Sequence, residues 1–125
     1  MNLPKPPEYL PPGPALNRLV ATLICGATSG MPDETYPAYS TDPALAFEAV
    51  DIFLSEFDEA KLTIEYPVPE VWIKMSSDET HSSWVPVAFT VGDTLPHALC
   101  LAILKAKGHE AEITVDAKAA SSEAG

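Results

Sequence analysis

The sequence predicts an α+β domain: a three-stranded antiparallel β-meander packed with helices in the order α-α-β-β-β-α, an αβα sandwich. Three observations carry this expectation. Apolar residues recur at helical spacing in three windows, each opened by a proline. Three windows between residues 61 and 91 alternate apolar and polar at period two. The chain has 125 residues, 46% of them hydrophobic and 20% charged. That suffices for one cored domain with little left for a second.

The elements follow in order. Residues 1–14 hold Pro4, Pro6, Pro7, Pro11, Pro12 and Pro14. Proline fixes φ and lacks an N–H, so this stretch is expected to be a flexible, extended leader. A Pro-rich arm of this kind can also fit an aromatic groove on a partner. The domain proper is expected over 15–108. After Pro14, residues Leu16, Leu19, Val20, Leu23 and Ile24 form a stripe, which predicts a helix over 15–25 with Gly26 as its stop. Residues 26–41 read as a loop. Asp42 then caps a second helix and Pro43 occupies its first turn. That helix is expected over 43–57. Ala46, Phe47, Val50, Phe53, Leu54 and Phe57 form its apolar face, opposite Glu48, Asp51, Ser55, Asp58 and Glu59.

The strands are expected at 61–66, 71–76 and 84–91. Their inward sets are Leu62, Ile64 and Tyr66; Val71, Ile73 and Met75; and Val85, Val87, Phe89 and Val91. Short turns at 67–70 and 77–83 make the strands neighbours in a meander. Pro86 cannot donate to a ladder and marks an edge or a bulge. Trp72 and Trp84 fall on the outward face, where the first helix is expected to cover them. Thr94 and Pro96 open the last helix. Leu95, Leu99, Ala102, Ile103 and Ala106 line its buried face, and Gly108 ends it. Residues 109–125 are expected to form a flexible tail, with a short strand at 113–115 as the exception.

The segments PAYSTDPALAFEAVDIF (37–53), WVPVAF (84–89) and TLPHALCLAILKAKG (94–108) resemble small bacteriophage and prophage proteins of the phage ABA-sandwich domain family. The shared features are a Tyr-Ser-Thr-Asp lead into a helix ending in aromatic residues and a closing helix of the pattern Pro-x-Ala-Leu/Ile-Cys-x-Ala-x-Leu. The resemblance spans about residues 15–108 and implies an αβα sandwich acting in the bacterial cytoplasm. It implies no activity. The Pro-rich leader and the longer tail depart from the pattern.

The formal net charge is −11. Nucleic-acid binding rests on Lys and Arg neutralising phosphates, so direct nucleic-acid binding is not expected, and neither is an anionic membrane surface. No apolar run approaches the roughly 20 residues of a membrane span, and the N-terminus has no apolar core of the signal-peptide kind. The charge is concentrated: residues 33–59 carry eight carboxylates and no Lys or Arg. Such a segment steers a basic partner or simply keeps the chain soluble.

Reactive groups are sparse. His97 and Cys100 share a helix face at i, i+3, and Cys25 could join them in space. A zinc site calls for four ligands in recognisable pairs, and HxxC stands alone, so no metal or cofactor is expected. Both cysteines sit between apolar neighbours, where thiols are inert, and a disulfide between them would require that they meet. The adjacent carboxylates Asp33/Glu34, Asp58/Glu59 and Asp78/Glu79 lack the contrasting environments that acid–base catalysis needs. His97 reads as a helix-start residue near solvent and Cys100 as a small core residue.

The leading expectation is a non-enzymatic phage or prophage accessory protein. It would bind another host or phage protein, a basic one, through the acidic helix face, with Glu48, Asp51, Glu56, Asp58 and Glu59 as contacts and Trp72 and Trp84 as a further platform. The alternative is an enzyme or small-ligand protein with a pocket between sheet and helices near His97 and Cys100. A self-associating module is a third reading.

Overall fold

The computed structural model describes residues 8–57, 59–76 and 84–115. Their elements are β1 (Glu8–Tyr9), α1 (Pro14–Leu19), α2 (Pro43–Leu54), β2 (Ala60–Glu65), β3 (Glu70–Ser76), β4 (Trp84–Val91), α3 (Leu95–Ala106), α4 (Glu110–Ile113) and β5 (Thr114–Val115). The α+β class and the α-α-β-β-β-α order therefore hold, with an antiparallel sheet ordered β2-β3-β4.

The middle of the molecule is α3. Nine consecutive residues, from Pro96 to Leu104, are buried. A helix that is apolar all round needs neighbours on every side. The sheet packs on α3 through β3 and β4, and α2 and the turn after α1 cover its other flanks. The predicted single buried face of Leu95, Leu99, Ala102, Ile103 and Ala106 is thus too narrow. Leu101 and Leu104 are fully buried too, while Leu95 and Ala106 pack at the margin. Thr94 caps the helix, its Oγ1 accepting the His97 N–H at 3.4 Å.

The first helix continues from α1 into a π-helical turn, Val20–Ile24, closed by the Cys25 N–H on the Val20 carbonyl at 3.1 Å. The buried arc is rotated from the expected stripe. Leu16, Asn17, Val20, Ala21 and Ile24 are buried, while Leu19 and Leu23 of the expected stripe sit at its margin. Gly26, at φ 75°, ends the helix as expected. This helix does not cover the tryptophans. Its contacts go to α2, to α3 and to the 3₁₀ turn Asp33–Thr35, and Trp72 and Trp84 remain half-exposed on the sheet's outward face.

Asn17 is the polar member of that buried set. Its Oδ1 accepts the Ser40 N–H at 2.8 Å and the Ser40 hydroxyl at 2.6 Å. The Ser40 Oγ in turn accepts the Gly13 N–H at 2.8 Å. These bonds tie the loop before α2 to the start of α1.

Helix α2 ends at Leu54, not 57. Asp42 caps it, Oδ1 accepting the Ala44 N–H at 2.9 Å. Ala46, Ala49, Val50 and Phe53 are buried, whereas Phe47 and Phe57 are each 37% exposed. At 100° per residue the buried four span only about 100° of arc, which excludes Phe47. Phe57 lies beyond the helix end and keeps a ring contact with Phe53, centroids 5.1 Å apart.

In β4 the residues that turn inward after the bulge are Ala88 and Thr90, not Val87, Phe89 and Val91, while Val85, before it, lies opposite Met75 on the expected face but is 51% exposed. Ile73 pairs with Ala88 but Lys74 with Pro86, so Val87 is an extra residue bulged out of the edge strand. A one-residue insertion swaps the faces of a strand, and Pro86 beside it marks the bulge as its missing N–H foretells. Thr90 is buried because its hydroxyl donates to the Ala98 carbonyl at 2.8 Å. The turn from β4 to α3 runs so close that a Cβ on Gly92 would stand 2.5 Å from the Ala98 nitrogen.

Parts of both termini are ordered against the expectation of a flexible leader and tail. β1 pairs with β5 antiparallel, and the Leu10 N–H donates to the Ile113 carbonyl at 2.7 Å. Ile113 is fully buried. Lys105 Nζ donates to the Tyr9 hydroxyl at 3.3 Å. Residues 1–7 of the leader and 116–125 of the tail, the turn at 77–83 with Asp78 and Glu79, and Asp58 lie outside the described residues.

Candidate functional site

Two sets of side chains qualify as candidates: the polar and thiol groups of α3, and the outward face of α2. On α3, His97 is buried, 4% exposed, and not near solvent as its helix-start position suggests. Its Nδ1 accepts the Asp93 N–H at 2.9 Å, and its Nε2 lies 2.6 Å from the Leu10 carbonyl oxygen. An amide N–H can only donate and a carbonyl can only accept. The ring is therefore the neutral tautomer with its proton on Nε2, and both nitrogens are used. A general base needs an open nitrogen within reach of a substrate proton, and this ring offers none.

Cys100, one turn on, is buried elsewhere. It neighbours Cys25 and Tyr39, and both cysteines are free thiols. Burial pushes the Cys100 thiol up to about 12, with Cys25 adding to the shift. A nucleophilic thiol works as thiolate, so Cys100 is inert at neutral pH. Burial likewise raises the Tyr39 phenol to about 12, helped by its hydrogen bond with Cys25 and the nearby charge of Glu48. The i, i+3 spacing thus brings His97 and Cys100 onto one helix but into separate surroundings. Among the described residues, no three His, Cys, Asp or Glu side chains gather to hold a metal ion.

On α2, the exposed residues Ala44, Phe47, Glu48, Asp51, Ile52 and Ser55 form one continuous arc at 100° per residue. Phe47 is 37% and Ile52 44% exposed. The two apolar side chains flank the two carboxylates, so the face is mixed and not purely acidic. The carboxylates grouped together in the sequence separate further in space: Glu56 is held in an ion pair with Lys107, oxygen to nitrogen 2.9 Å, and Glu59 is half-buried after the helix. Glu48 and Asp51 are the carboxylates that remain on the arc. Phe47 and Ile52 were missed as surface residues because counting apolar residues does not reveal how narrow the buried arc is.

Trp72 and Trp84 lie well away from α2, on the outward face of the sheet. The Trp72 ring packs on Phe89, centroids 4.3 Å apart. Lys61 Nζ stands 4.4 Å from the Trp84 ring centre and Lys74 Nζ 5.8 Å from that of Trp72. Among the described residues no helix is long and apolar enough to cross a membrane. Comparison of the chain with protein-family models, with curated proteins and with solved structures gave no match.

Proposed function

We propose that this protein is a non-enzymatic accessory protein of the phage or prophage kind, acting in the bacterial cytoplasm by binding another protein through the outward face of α2. One observation carries the reading. A helix whose buried arc is satisfied by α3 displays Glu48 and Asp51 between two exposed apolar side chains, Phe47 and Ile52. Apolar anchors beside charge are what a helix offers to a complementary groove. The partner is a protein with a basic patch flanked by apolar surface. The engagement of both His97 nitrogens and the high protonation range of Cys100 support a binding role over a reactive one. The net charge of −11 favours a protein over a nucleic acid.

Affinity capture from bacterial lysate with the wild type and the E48K/D51K variant tests this. Loss of the captured protein with the variant is the expected result. An identical set of captured proteins would reduce the acidic face to a solubility device.

A further inference from the structure

The outward face of the sheet carries like charges paired across its strands. In the β2–β3 register, Lys61 sits directly opposite Lys74, and Glu65 directly opposite Glu70. Like charges facing each other across strands are destabilising. Here there are two such pairs, of opposite sign, on the same face. They lie equally far along the strands from the Thr63–Trp72 pair between them. Four residue steps separate them, about 13 Å at strand rise.

Between the two charged ends lies an aromatic layer. Trp72 is paired with Phe89 in register and their rings pack together. The ammonium groups of Lys61 and Lys74 stand over tryptophan rings of this layer. Trp72 and Phe89 are half-exposed, because α3 packs on the opposite side of the sheet.

We propose that this face docks against the same face of a second copy of the chain, forming a symmetric dimer. Consider a twofold axis lying in the plane of contact, perpendicular to the strands, at the Thr63–Trp72 row. Rotation about it reverses the strand direction and turns one sheet onto the other. The lysine pair of each copy then lies over the glutamate pair of its mate, and Trp72 meets Trp72. A symmetric interface requires a patch complementary to itself, and this one has matched ends. Two lysines face two glutamates in this register, and Glu59, opposite Ser76 at the edge of the same face, adds one carboxylate per copy. The facing pairs let copies meet here although each carries a charge of −11. The face of three strands is small, on the order of 300 Å² in plan at about 4.8 Å between strands, against roughly 800 Å² per partner in a stable interface. The dimer is accordingly weak and concentration-dependent. It leaves both α2 faces outward, available to other proteins.

Sedimentation velocity on the full chain, over about a hundredfold range of concentration at physiological salt, provides the test. The wild type should shift from monomer to dimer as concentration rises. Neither K61E/K74E nor E65K/E70K alone should do so, each weakening self-association by about tenfold or more. Mixed in equal amounts, the two variants should form a heterodimer, since the four paired positions are then all acidic on one face and all basic on the other. That heterodimer also shows that both variants are folded. A wild type that stays monomeric throughout, self-association that survives either double substitution, or a mixture that fails to associate would each overturn the proposal.

Discussion

Helices α2 and α3 are both twelve residues long, and both begin with a capping side chain and a proline in the first turn. Their surroundings differ completely. α2 buries four residues, against α3 and the turn after α1, whereas α3 buries nine against neighbours all round. The chemically versatile side chains, His97 and Cys100, belong to the enclosed helix, where one is consumed in backbone hydrogen bonds and the other is kept protonated by burial. The side chains that reach solvent on α2 are carboxylates and hydrocarbon. Position in the packing, more than residue type, decides that α3 builds the fold and α2 faces the environment.

Truncation should separate the two helices most strongly. Leu101→Ala on α3 opens a cavity in the middle of the core and should cost about 2–5 kcal/mol in denaturant unfolding. Ile52→Ala on α2 should stay within about 0.5 kcal/mol. Equal losses at both positions would break the distinction.

Alkaline unfolding sharpens it from the side of chemistry. The Cys100 thiol moves from its ordinary value of 9.0 in the unfolded chain to about 12 in the folded one. Above pH 9 the unfolded chain releases this proton and the folded chain keeps it. The Cys100 contribution is therefore whole below pH 9 and is lost progressively as pH rises toward about 12. Tyr39 acts in the same direction between 10.0 and about 12. In C100A the decline should begin about a pH unit later and be shallower. An unchanged profile in C100A would place the thiol nearer to solvent than the structure does.

His97→Ala removes an acceptor from the Asp93 N–H and a donor from the Leu10 carbonyl, for an expected loss of about 1–3 kcal/mol. Because Leu10 adjoins β1, amide exchange at Leu10 should quicken more than exchange in β3. The caps offer the finest comparison. Asp42→Ala and Thr94→Ala should each cost about 1 kcal/mol, showing that the helix starts are alike where the bodies are not.

Much of this fold is legible in the sequence because it rests on local rules. Asp42 with Pro43, Thr94 with Pro96, and the period-two windows at 61–66 and 71–76 place their elements within a few residues. What escapes depends on neighbours. No local pattern announces the extra residue at Val87 that turns Ala88 and Thr90 inward, or the rotation of the first helix that buries Asn17 and Ala21. A short strand at 113–115 is legible, but its pairing with residues 8–9 is not, since the proline-rich segment there suggests only a loose arm. The candidate surface is half legible: Glu48 and Asp51 follow from helical spacing, whereas the exposure of Phe47 and Ile52 follows from how little of α2 its neighbours cover. The opposed pairs Lys61–Lys74 and Glu65–Glu70 appear only once the strand register is known.

The decisive measurement is a titration of the protein captured by the wild type against three forms of this chain: wild type, E48K/D51K and C25A/C100A. Affinity should fall at least about tenfold with E48K/D51K, a loss of about 1.4 kcal/mol or more, and stay unchanged with C25A/C100A. Binding that ignores the α2 substitutions but is lost with the thiols would contradict the division of roles between the two helices.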